Sequence, residues 1–224
     1  MIDIISARVA LANRCLIAFD VNLTSQERSS IESFRIENEG VRTQKDLEEF
    51  NYFGLVDAEL TQNLICYLSK LGNNPREGNT HISDLVARII KIMMDIFDAE
   101  ATRLGIRASL PSNKYDVPRW HRDQRYFTTE GKIYKLVFTI KGPPTRFAEI
   151  VDLKEYRRIA EGYTRNFNLN FTSDPVKFND EDMRIRQEIA STLRELDSFG
   201  RESAVIYLVG DKNPKVHSAP NHDE

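Results

Sequence analysis

Between Ile82 and Leu104 apolar residues recur at helical spacing, with Ile82, Leu85, Val86, Ile89, Met93, Ile96 and Phe97 along one stripe. Ile90, Ile92 and Met94 widen that stripe. The pattern predicts a helix over 82–104, buried on more than one side and stopped at Gly105. Its two methionines read as core packing. Upstream, residues 43–71 carry a second helical pattern interrupted near Gly54, and LGNNPREGNTH then supplies Gly, Asn and Pro for a loop. Residues 7–20 (ARVALANRCLIAFD) read as a strand leading into a polar loop at NLTSQERSS.

Beyond residue 116 the period changes. KIYKLVFTIKG (132–142) is rich in β-branched and aromatic residues and ends at Gly-Pro-Pro, which predicts a strand. Alternation puts Ile133, Lys135, Val137 and Thr139 on one face, and Tyr134, Leu136, Phe138 and Ile140 on the other. Residues 151–162 and 180–196 read as surface helices, the second with Asn179 or Asp180 as N-cap, and RNFNLNFTSDPVKFN between them as an irregular flap. AVIYLVGD is a short apolar strand, and NPKVHSAP follows as a turn. Helices come first and strands later, around a helical insertion at 151–196, which is an α+β pattern. A mainly helical part (1–104) packed on a core (105–224) fits this order, as does one single domain.

Composition narrows the function classes. With 224 residues, 41% hydrophobic and 29% charged, the chain is of ordinary globular type. A net charge of −3 and a single Trp argue against a strongly electrostatic nucleic-acid binder. GxSxG, HExxH, GxxxxGK[ST] and GxGxxG are all absent, which removes the signatures of hydrolase, zincin, P-loop and Rossmann chemistry. Cys15 and Cys66 sit in apolar stretches without CxxC spacing and read as buried free thiols of a reducing compartment. No run approaches the roughly 18 apolar residues of a membrane span, and the N-terminus has no signal-peptide pattern. The expected location is the cytoplasm, with neither membrane nor nucleic acid as partner and with a small molecule or a protein as substrate.

The chemistry gathers in DVPRWHRDQRYF (116–127). An HxD pair at a strand entrance places His121 and Asp123 on one face, because side chains alternate with period two. A second imidazole from a distant strand, His217, would be the third ligand and complete one face of an octahedron. Two histidines and a carboxylate with three positions open suit non-haem Fe(II). The opposing reading makes His121 and Asp123 a hydrogen-bonded loop pair and His217 part of a tail. Arg119, Arg122, Arg125 and Arg146 cluster near the HxD and the GPPT turn; they could bind an anion or pair with acids such as Asp116 or Glu149. Trp120 reads as packing beside the site, His81 as a helix-start residue, and His222 with Glu224 as tail. Tyr126 and Tyr134 have hydroxyls that could reach a carboxylate, but nothing in the sequence selects them.

PRWHRD, the strand ending in TIKGPPT, and AVIYLVGDKNPKVHSAP together resemble the double-stranded β-helix (jelly-roll, cupin-like) fold of Fe(II)/2-oxoglutarate-dependent oxygenases. The order is also similar to an uncharacterised bacterial family with an HxD, a GP-x-T turn and a late H-S/x-x-P. The resemblance covers about residues 105–220. It implies His121, Asp123 and His217 as metal ligands and 2-oxoglutarate as co-substrate. Many members hold the far carboxylate of 2-oxoglutarate with an Arg about ten residues after the distal His, and the chain ends at NHDE before such a position. Some use a Lys on the strand after the HxD, which implies Lys135 here, with Thr139 or Arg125 in support. A catalytically degenerate barrel acting as an interaction module is the competing expectation, and a metal used as a Lewis acid for hydrolysis is a third.

Overall fold

The computed structural model describes residues 3–36, 49–108, 117–123, 132–170, 175–197, 199–210 and 215–218, the side chains of 163–170 and 175–179 excepted. Two compact units emerge. The first comprises residues 1–13, 19–111 and 202–204; the second comprises 14–18, 112–201 and 205–224.

The first unit is built on two long helices, α3 (Ala58–Leu71) and α4 (Arg76–Phe97). Asp57 starts α3 by accepting from the Glu59 and Leu60 N–H groups at 3.0 and 3.1 Å. Leu60, Leu64, Leu68 and Leu71 of α3 and Ile82, Leu85 and Ile89 of α4 are buried, and the two helices pack against each other. Polar groups tie the pair inside that contact: Ser83 donates to the Thr61 carbonyl at 3.1 Å, and Asn79 donates to Ser69 Oγ at 3.0 Å. The predicted helix is therefore present, but it begins six residues earlier and ends at Phe97. Asp98 takes a left-handed conformation (φ 54°) and stops it, a conformation that Asp tolerates better than most residues. Gly105 lies instead in strand β3 (Thr102–Ile106).

That strand corrects a second expectation. Residues 50–54 are not helical: β2 (Phe50–Gly54) pairs antiparallel with β3, Phe50 opposite Ile106 and Gly54 opposite Thr102. The aromatic FNYFG favours a pleated strand once a partner is at hand. The N-terminal strand likewise divides into a helix, α1 (Ile4–Asn13), and a shorter strand, β1 (Leu16–Asp20). The polar NLTSQERSS is not loop throughout, because Ser25–Ser33 forms α2. Thr24 and Glu27 make a reciprocal capping box there, and Glu27 also accepts two bonds from Arg88 at 2.8 Å. Burial alone would raise the Glu27 pKa, yet the Arg88 and Thr24 bonds outweigh it and hold the carboxyl below its ordinary value. His81 is not at a helix start but inside α4, with Nδ1 3.0 Å from Ser30 Oγ.

The second unit holds two three-stranded sheets. One has the order β1-β7-β4, with β4 at Tyr134–Val137 and β7 at Ser203–Leu208. The other has the order β6-β5-β8, with β5 at Arg146–Ile150, β6 at Leu193–Glu195 and β8 at Lys215–Ser218. Helices α5 (Leu153–Asn170) and α6 (Pro175–Ser191) form the insertion, and helix extends into both ends of the segment read as an irregular flap. The NPKVHSAP turn contains strand β8. Alternation along β5 sends Phe147 to a cluster with Val205, Tyr207 and Val209. It sends Ala148 and Ile150 to another with Trp120, Tyr156, Ile185, Ile189 and Val216. Trp120 is thus packing, as expected. Gly142, in the connection from β4 to β5, has φ 101°, a backbone conformation that side chains strain to adopt.

Helices and small antiparallel sheets therefore make up the described residues, with six helices and no closed barrel among them. No described helix is long and apolar enough to cross a membrane. Both thiols are free, but they are not buried as expected: Cys15 is half-buried and Cys66 is exposed.

Candidate metal centre

His217 sits on β8 directly opposite Phe147 of β5. His121 joins the edge of that strand through a lone antiparallel bridge, in which each histidine N–H donates to the other's carbonyl at 3.0 Å. A directly opposed pair sends both side chains to the same side of the ladder. The imidazole centroids accordingly lie 4.3 Å apart. Asp123, two residues further on, returns to that same side, as the period of an extended chain requires. One nitrogen from each imidazole and one Asp123 oxygen lie within 4.8 Å of one another, a group that could hold a metal ion.

The two oxygens of Asp123 have different neighbours. Oδ1 lies 4.0 Å from His121 Nε2 and 3.7 Å from His217 Nε2. Oδ2 accepts from Lys135 Nζ at 2.8 Å and from the Tyr207 hydroxyl at 2.5 Å. These two donors are cross-strand partners, Lys135 on β4 opposite Tyr207 on β7. No family model matches the chain, and neither a curated protein nor a solved structure does. Function has to be read from the donors themselves.

Protonation favours ligation. His121 Nδ1 lies 3.0 Å from the Arg119 carbonyl, which can only accept, so Nδ1 carries a proton and Nε2 is the nitrogen turned toward Asp123. His217 is pushed down to about 3, chiefly by burial and then by the neighbouring His121, so its ring is neutral at pH 7. Burial would raise the Asp123 pKa, but the hydrogen bonds from Lys135 and Tyr207 outweigh that and hold it below its ordinary value. The site thus presents a neutral His217 imidazole and an ionised Asp123 carboxylate, with the His121 ring beside them. His121 forms its open side, with 49% of its side chain exposed against 7% for Asp123.

The donor set fits a metal. Ligands about 2.1 Å from a common ion and at right angles to one another stand about 3 Å apart. The observed 3.7 and 4.0 Å would each have to close by roughly 1 Å, and no pair of donors, all within 4.8 Å of one another, by more than about 2 Å, which side-chain rotations can supply. Two imidazoles and one carboxylate are the donors that suit Fe(II), and Zn(II) also accepts them.

The remaining residues singled out in the sequence sort differently. Lys135 is at the site, but its partner is Asp123 itself. Thr139 lies beyond the end of β4, and Arg125, Tyr126, His222 and Glu224 lie outside the described residues. Arg146 pairs with Glu195 at 2.6 and 2.7 Å and stacks over the Trp120 ring, while Arg122 stacks over Tyr156. Glu149 pairs with Lys215 and Arg194. Tyr207 is the residue that sequence reading missed. Its signal was a hydroxyl in the apolar strand SAVIYL, since a buried Tyr hydroxyl usually has a partner.

Proposed function

We propose that the chain is an Fe(II)-dependent oxygenase that uses 2-oxoglutarate, acting in the cytoplasm on a substrate that approaches from the His121 side. The observation that carries this reading is the convergence of His121, Asp123 and His217 from two distant segments, with Oδ1 turned toward both imidazole Nε2 atoms. In support of a double-stranded β-helix reading, the two short sheets of the second unit both contribute to the cluster around Phe147 and Tyr207.

His121 and His217 would each donate a nitrogen lone pair and Asp123 a single oxygen. Bound there, Fe(II) with 2-oxoglutarate supplies oxidative decarboxylation of the co-substrate coupled to oxygenation of the substrate. Lys135, 39% exposed and bonded to Asp123, could turn its ammonium toward an incoming carboxylate, with Thr139 and Arg125 kept as further candidates from the sequence. The exposed face of His121 would admit ligands, while His217 is buried against the Phe147 and Tyr207 rings.

Anaerobic titration with Fe(II), comparing the intact protein with His121→Ala, tests this. We expect one equivalent bound and lost in the variant, followed by succinate formation from 2-oxoglutarate by the iron-loaded protein. A folded wild type that binds no Fe(II) would leave a non-catalytic interaction module. Binding without any 2-oxoglutarate turnover would point to Lewis-acid chemistry.

A further inference from the structure

We propose that Tyr207 is a positioning residue of this centre: with Lys135 it occupies Oδ2 of Asp123, so that the carboxylate offers a metal Oδ1 alone. The proposal rests on the metal reading above. A carboxylate oxygen has about two acceptor directions. At Oδ2 both are taken, by the hydroxyl at 2.5 Å and the ammonium at 2.8 Å. Oδ1 is the oxygen turned toward both imidazoles. A carboxylate free to chelate through both oxygens would occupy two positions on the ion; held as it is here, it occupies one. That difference decides how many positions remain for other ligands.

The two donors are not equivalent. Lys135 has a flexible stem and a side chain 39% exposed, so it can leave Oδ2 for water or for another anion. Tyr207 is 2% exposed, and its ring packs against both Phe147 at 5.4 Å and His217 at 5.2 Å. Its backbone is held in the middle strand of the β1-β7-β4 sheet. The hydroxyl therefore stays on Oδ2 whatever the lysine does, and the tyrosine makes the one-oxygen geometry permanent. The same ring touches the His217 imidazole, so one side chain fixes two of the three ligands.

Tyr207→Phe keeps the ring and removes only the hydroxyl. The proteins are labelled with carboxyl-¹³C aspartate, and Fe(II) is added anaerobically. Titration then reads affinity, and infrared difference spectra read the separation of the aspartate carboxylate stretches, wide for one-oxygen binding and narrow for chelation. In the wild type we expect a wide separation. In Tyr207→Phe we expect one equivalent still bound, affinity lower by about 10-fold or more, and a narrowed separation. Lys135→Met, which leaves Tyr207 in place, should keep the wide separation and serves if the tyrosine variant does not fold. Equal affinity and an unchanged spectrum in Tyr207→Phe overturn the proposal, as does a narrow separation in the wild type or in Lys135→Met. A wild type that binds no Fe(II) instead overturns the metal reading itself, and this assignment with it.

Discussion

Asp123→Ala in the metal-free protein separates two views of the buried carboxylate. If Asp123 were tolerated only for the sake of a metal, its removal would relieve a desolvated charge and stabilise the apoprotein. The geometry indicates the opposite. Tyr207, 2% exposed, would lose its acceptor and could not turn to water, at a cost of about 1–3 kcal/mol. Lys135, 39% exposed, would regain hydration, so losing its ion pair costs roughly 0–1 kcal/mol. Relief of carboxylate desolvation offsets part of that sum. The balance is a destabilisation of about 2 kcal/mol, or roughly a 1 M fall in the urea midpoint for a slope near 2 kcal/mol/M. Trp120 is the single tryptophan and is buried in the second unit, so its fluorescence follows the part of the chain that holds the site. Titration in the presence of a chelator, with wild type alongside, gives the number. An unmoved or raised midpoint would refute this account of Asp123.

Other expectations concern the first unit. Glu27 is held below its ordinary carboxyl value by Arg88 and Thr24, so its contribution is fully present above the unfolded-state value near pH 4.5 and disappears as pH falls through the lower folded value. Glu27→Gln keeps an oxygen for the Thr24 N–H but loses the charge facing Arg88. It should cost about 1–2 kcal/mol at pH 7 and flatten the acid limb of stability measured by circular dichroism; an acid limb identical to wild type would contradict this. Leu64→Ala, at a fully buried position between α3 and α4, should cost about 2–5 kcal/mol, whereas Phe53→Ser at a site 75% exposed should stay within about 0.5 kcal/mol. Thermal melts of the two variants check the contrast.

The parts legible in advance were those with local causes. The α4 stripe declares itself because one helix face recurs in one stretch of sequence, and HxD declares two side chains on one face for the same reason. Boundaries failed where a partner from elsewhere decided them. Residues 50–54 become a strand because 102–106 lie beside them, and no local pattern announces a pairing over that separation. Lys135 could be placed on the correct face from alternation, yet its partner could not, because Asp123 reaches it only through the fold. Thr24 and Glu27 were different: the T-x-x-E signature was present in the sequence and marks a helix start. Arg146 had two readings in sequence, an anion site or pairing with an acid such as Asp116 or Glu149; in space it does pair with an acid, but the more distant Glu195, and it lies over the Trp120 ring.

The path of the chain has a kinetic consequence. β1 ends at Asp20 and β7 begins at Ser203, yet the two are neighbours in one sheet, so their pairing closes a loop containing most of the chain. Non-local pairings of this kind form slowly, while the α3–α4 hairpin needs only neighbours in sequence. During refolding, helical signal should appear before the sheet that carries Lys135 and Tyr207. The bonds of Lys135 and Tyr207 to Asp123 would then form last, and their appearance would time the completion of folding.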